Sequence, residues 1–179
     1  MTVFLRLAKL IDRLNDTIGR AVAWAALGMV LIQFVIVLMR YVFGIGSIWA
    51  QESVVYLHAL LFLLAAGYTL LHNAHVRVDI IYREASGRYQ AAVDALGVLF
   101  FLWPLAALVW IEAWPHVVLS WSVREGSGET SGIQAVYLLK TVILAFAVLI
   151  ALQGFSMLVH AIRVWRGIEK PTPEEIGNL

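Results

Sequence analysis

Hydrophobic and polar positions along this chain fall into long blocks. Ala21 to Met39 is nineteen residues without a charge, and Ser53 to Val76 is twenty-four. Each block is long enough to cross a hydrocarbon layer of about 30 Å at about 1.5 Å per helical residue. Between them lies an elbow, Arg40-Tyr41-Val42-Phe43-Gly44-Ile45-Gly46-Ser47-Ile48-Trp49-Ala50-Gln51-Glu52, which turns a crossing chain back on itself. The pattern predicts a first span over about 18–40 and a second over 48–72, with Ser47 as N-cap of the second. Arg40 and Glu52 have opposite charge at similar depth, so they are read either as a pair across the elbow or as two charges reaching into headgroups. Trp49 is read as a boundary aromatic or a contact residue.

Two further blocks follow. A third span over 88–121 holds a charge-free stretch from Ala95 to Ile111, seventeen residues. From Arg88 to Trp121 a continuous helix would be about 50 Å long. It must therefore tilt, protrude, or bend at Pro104 or Pro115. Trp103, Trp110, Trp114 and Trp121 are expected at the membrane–water boundary. The glycine-bearing run from Ser122 to Gln134 reads as a flexible loop, and the fourth span covers 135–165. The connection after the second span, from Asn73 to Gly87, alternates Val76, Val78 and Ile80 with Arg77 and Asp79. It is read either as a short extended piece or as an interfacial helical turn. Asp94 is expected to favour the N-terminus of the third span.

Residues 1–17 differ from the spans. Phe4, Leu7, Leu10, Ile11, Leu14 and Ile18 follow one helical stripe, with Arg6, Lys9, Arg13 and Arg20 towards the other side. That pattern predicts an amphipathic helix lying in the lipid headgroup layer, apolar face down. A cleaved signal peptide fits poorly, because the small-residue site Ala21-Val22-Ala23 precedes the apolar run. The tail 166–179, with Pro171 and Pro173, reads as disordered.

Composition agrees with the blocks. Of 179 residues, 61% are hydrophobic and 14% charged, where a soluble domain carries about 25% charge. The fold class expected is all-α integral membrane, four transmembrane helices plus the N-terminal interfacial helix. Ten basic residues (Arg6, Lys9, Arg13, Arg20, Arg77, Arg83, Arg88, Arg163, Arg166, Lys170) fall on the side of the termini and middle connection, against Arg40, Arg124 and Lys140 on the other. That bias predicts both termini in the cytoplasm. Basic residues otherwise cluster only at membrane flanks, so no nucleic acid is expected as partner. Zero cysteines exclude disulfides and thiolate ligands.

Four polar residues fall within the spans: Gln33, His58, Glu112 and Gln153. His58 and Glu112 each lie nine residues inside a tryptophan, which suggests a shared depth, and each is a candidate for proton relay or substrate contact. Five histidines raise the alternative of a haem or quinone anchor in a redox complex, with His72 and His160 the best-matched pair. No carboxylate pair, Ser/His/Asp set or metal-ligand spacing appears outside the spans, so an enzyme is not expected.

Arg40-Tyr41-Val42-Phe43, then Trp49-Ala50-Gln51-Glu52, then His75-Val76-Arg77-Val78-Asp79 resemble the small, DctQ-like membrane subunit of tripartite ATP-independent periplasmic (TRAP) transporters. Tyr137-Leu138-Leu139-Lys140 and Leu152-Gln153-Gly154 are similar to it as well, so the resemblance covers about residues 15–165. It implies a non-enzymatic subunit of the bacterial inner membrane that scaffolds a large, DctM-like membrane subunit. That partner would carry an organic acid and the coupling Na+, with no cofactor in this chain. A periplasmic substrate-binding protein would deliver the acid. Arg40, Trp49, Glu52, His75, Arg77 and Asp79 become the candidates for the partner interface.

Overall fold

The computed structural model describes residues 2–75 and 86–168, and every regular element among them is helical. Four helical stretches are long and apolar enough to cross a membrane: Val3–Phe43, Ile48–Leu71, Gly87–Ser122 and Val136–Trp165. The four-span reading of the sequence therefore holds.

The first element is longer than expected. Helix α1 runs unbroken over Thr2–Phe43, 42 residues, so the amphipathic segment is continuous with the first span and is not a separate interfacial helix. Nothing between Asn15 and Ile18 ends a helix. Thr17 turns its hydroxyl back to the Arg13 carbonyl at 2.8 Å, and Asp16 meets Arg20 at 2.9 Å one turn on. The stripe Phe4, Leu7, Leu10 and Leu14 faces outward. A neighbouring face, with Ala8 and Asn15, is fully buried in the bundle, while the basic side chains of Arg6, Lys9, Arg13 and Arg20 are exposed. Between the apolar and the basic sides a third face thus packs against protein, where other helices supply the partners for its polar groups.

Gly44, at φ +68, closes α1, and the Ile45 amide donates to the Met39 carbonyl at 3.1 Å. The second span follows as α2 (Ile48–Leu64) and α3 (Ala66–Leu71). Ser47 caps α2 as expected, its hydroxyl accepting from the Ala50 amide at 3.3 Å.

The third span is α4 (Gly87–Gly97), a π-helical turn over Val98–Leu102, and α5 (Trp103–Ser122). Pro104 accounts for the π turn: its ring clashes with the carbonyl four residues back, and it donates no hydrogen bond. The chain widens by one residue just before it, the Trp103 amide reaching the Val98 carbonyl. Asp94 lies two turns inside α4, and Ser86 holds the cap position. Arg124, at φ 48, ends α5 in a left-handed turn held by the Glu125 amide on the Ser120 carbonyl at 2.9 Å.

Helix α6 (Val136–Trp165) is the centre of the fold. Among the described residues it touches every other helical element, whereas α4 and α5 meet no helical element except α6 and the π turn between them. The bundle is therefore open: α1 with α2–α3 on one side of α6, α4–α5 on the other. Trp103, Trp110, Trp114 and Trp121 recur at seven, four and seven residues, so they share one flank of α5. They are not gathered at the boundary. Trp103 lies deep and donates to the Ala151 carbonyl at 3.1 Å, while Trp121 donates to the Thr141 hydroxyl at 2.8 Å.

Candidate functional site

Two polar clusters tie the bundle together, one at each end. At the N-terminal end of α1, the carboxylate of Asp12 faces α6. Ser156 donates to its Oδ1 at 2.6 Å and Gln153 Nε2 at 3.0 Å, and His160 Nε2 is 3.4 Å from its Oδ2. These contacts fix the rest. Asp12 only accepts, so Gln153 must present its amide NH2 there and turn its Oε1 away. Asn15 Nδ2 then donates to that Oε1 at 2.8 Å. The Asn15 Oδ1 is thereby aimed at Gly67 and has no hydrogen-bond partner. A Cβ on Gly67 would lie 2.1 Å from this oxygen, and one on Gly19 would lie 2.3 Å from Tyr68 Cβ. Two glycines thus let α1 and α3 approach closely, with Asn15 wedged between α3 and α6. One turn along, Asp16 Oδ1 is 3.1 Å from His72 Nε2, and Tyr68 packs on the His72 ring at 4.3 Å. His72 and His160 accordingly engage two different carboxylates, four residues apart on α1.

The other cluster replaces the expected Arg40–Glu52 pair. Both carboxylate oxygens of Glu52 are occupied from the loop after α5: Ser127 donates to Oε1, and the Ile133 amide to Oε2 at 2.6 Å. A side chain forms the first pairing and a backbone amide the second, so a fixed loop satisfies the acid better than a long, mobile arginine. Arg40 is exposed and makes no ion pair with Glu52. The loop is not the flexible segment expected. Lys140 Nζ binds Glu125 Oε2, and the Tyr137 amide donates to the Glu125 carbonyl at 3.3 Å. A Cβ on Gly132 would sit 2.2 Å from Ser127 Oγ and 2.6 Å from Glu52 Oε1. The loop glycines permit tight packing. Glu125 lies outside the spans, and the Lys140 ammonium holds its carboxyl below the usual range.

The remaining candidates scatter. Trp49 and His75 are exposed, and His75 Nε2 is 3.4 Å from the Ala66 carbonyl. Arg77 and Asp79 lie outside the described residues, as does the alternating stretch around them. Gln33, His58 and Glu112 all face outward from the bundle. His58 on α2 and Glu112 on α5 stand on helices that do not touch each other. Only Gln153 is buried. Gly67 and Gly154 sit at close contacts within the bundle, whereas a Cβ on Gly97 would meet nothing within 4 Å.

Asp12, Asn15, Asp16 and Ser156 were not among the sequence candidates. The signal is present as Ala8, Asp12, Asn15 and Gly19, a small-and-polar stripe between the apolar and the basic sides. In lipid such a stripe marks a packing face. Among the described residues no group of three or more His, Asp or Glu side chains is placed to hold a metal ion. Both clusters act as clamps: their carboxylates are saturated by donors from neighbouring segments.

The family model for the DctQ component of tripartite ATP-independent periplasmic transporters matches residues 29–168. The C4-dicarboxylate TRAP transporter small permease protein DctQ of Vibrio cholerae serotype O1 is 26% identical over 113 residues. The aligned stretch covers 63% of this chain and 47% of that relative, so the chain matches about half the relative's length. No solved structure matches.

Proposed function

The chain belongs to the DctQ component family of the tripartite ATP-independent periplasmic transporters, and on that premise we propose that it is the small permease subunit scaffolding a large, ion-coupled membrane subunit. The observation that carries the reading is the family match over residues 29–168, which takes in all of the second, third and fourth spans. The substrate class proposed is a small organic acid, in line with the name of the Vibrio cholerae relative. A periplasmic binding protein delivers it, and the coupling ion resides in the large subunit.

The open bundle supports a scaffold role. One clamp fixes α1 to α3 and α6, and the other fixes α2 to the loop 123–135, while the outer faces of α1, α2 and α5 remain available to neighbours. In the proposed orientation the chain sits in the bacterial inner membrane with both termini cytoplasmic. The elbow and the loop after α5 then face the periplasm, where Arg40 and Trp49 are exposed to a binding protein. The basic side chains of Arg6, Arg13 and Arg20, spaced by seven, meet lipid headgroups.

A mild-detergent pull-down of the tagged chain from its native membrane tests the reading. Co-purification of a larger multi-span protein, with uptake that requires both, is the expected result. A lone chain, or one carrying a haem absorption band, overturns it. Reporter fusions at the elbow and the C-terminus test the orientation, which an exported C-terminus would refute.

A further inference from the structure

Helix α5 carries two seams. Along one, Ala106, Val117 and Ser120 are buried against α6. Along the other, which begins in the π turn, Phe101, Leu105, Leu108, Glu112, His116 and Leu119 step by four, three, four, four and three residues, and every one is exposed. At 3.6 residues per turn this second seam stands about 100° around the helix from the first. Its spacing is that of a helix-packing face, yet among the described residues only α6 and the π turn touch α5.

Spacing alone describes any stripe that faces lipid. Glu112 decides between lipid and protein. With Trp121 beside Thr141 and Trp103 beside Ala151, Glu112 lies roughly level with Phe146 of α6, about 8 Å inside the start of that helix's charge-free stretch. Among the described residues it has neither a hydrogen bond nor an ion pair, although His116 lies one turn away. Ionisable groups at such positions pair with one another or face a protein interior. The outward groups of α1 and α2, Gln33 and His58, include no carboxylate and make no comparable demand.

We propose that this second seam of α5 seats one membrane helix of the larger permease subunit, and that this helix presents an arginine or lysine to Glu112. The inference rests on the small-subunit reading above and adds to it the face and the chemistry of contact. A cation on the facing helix satisfies the carboxylate, while Phe101, Leu105, Leu108 and Leu119 supply the close packing by which helices associate in lipid.

The chain has no cysteine, so single cysteines bearing a photoactivatable maleimide report contacts cleanly in membranes that hold the whole transporter. Adducts to the large subunit are expected from Leu105→Cys and Leu119→Cys, and not from Trp24→Cys or Val30→Cys on α1. Glu112→Leu, which lipid tolerates, is expected to lower recovery of the large subunit by about three- to tenfold, the range that interhelical polar contacts command. Glu112→Lys is expected to lower it further. Adducts confined to α1, with recovery unchanged by Glu112→Leu, would overturn the inference and leave the small-subunit reading standing. A chain that captures no large subunit from any position would overturn both.

Discussion

Asn15 and Gly67 give a test whose sign is set by geometry. In Gly67→Ala the new Cβ would lie 2.1 Å from Asn15 Oδ1 and 2.8 Å from its Cγ. Asn15 has no room to yield, because its other amide atom is held by Gln153, itself held by Asp12. Overpacking of this kind costs about 1–3 kcal/mol, offset by up to about 1 kcal/mol from the better helix propensity of alanine. Gly67→Ala should therefore destabilise the bundle by about 1–2 kcal/mol. Asn15→Ala loses one interhelical hydrogen bond, worth about 0.6 kcal/mol on average in membranes. In that background the clash is gone, so Gly67→Ala becomes neutral or mildly stabilising. The double-mutant cycle should show a favourable coupling of about 1–3 kcal/mol. Reversible unfolding in mixed micelles, followed by circular dichroism, measures all four corners. Additivity to within about 0.5 kcal/mol would show that Asn15 is not wedged against Gly67.

At the opposite end of the bundle, Glu52→Ala and Gly132→Ala should each raise hydrogen exchange at residues 126–134, while Arg40→Ala leaves it unchanged. A matching rise from Arg40→Ala would restore the pair across the elbow. For Glu125, the folded carboxyl titrates below its unfolded value, so its contribution is present above about pH 4.3 and is lost as pH falls through the lowered folded value. Protease resistance of the loop should hold from pH 7 to about pH 5 and decline below about pH 4, and Lys140→Met should remove most of that decline. In the seam between α5 and α6, Trp103→Phe should cost more stability than Trp110→Phe, by about 0.6–1.7 kcal/mol, because only Trp103 bonds the Ala151 carbonyl. Equal losses in the two variants would count against that bond.

The spans were legible because a run such as Ala21–Met39 has one physical use. Ser47 was legible for a similar reason: a hydroxyl just before an apolar helix has an unmet amide to bind. The clamps were not, since each joins residues far apart in the chain: Asp12 with Gln153 and Ser156, and Glu52 with Ser127 and Ile133. Gln153 is legible because an amide inside an apolar run stands out. Asn15 is not legible, because a polar residue between Arg13 and Asp16 looks the same in sequence whether it meets water or protein. Amphipathicity identifies two faces of a helix without saying whether the polar one meets water or protein. Arg40 and Glu52 show a related limit. Opposite charges close in sequence suggested a pair, while the competing partner came from a loop some eighty residues further on.

The position of α6 also bears on how the molecule is made. It is the last of the four spans to leave the ribosome, yet it is the one on which α4 and α5 pack and the one that satisfies Asp12 and Asn15. Synthesis at roughly 5–20 residues per second leaves the first three spans in the bilayer for several seconds before α6 arrives. During that interval α1 and α3 can already close on each other through Gly19 and Gly67, but the carboxylate of Asp12 still lacks Gln153 and Ser156. A truncation just before α6 should then expose an assembly intermediate: a hairpin of α1 with α2–α3, accompanied by an unattached third span.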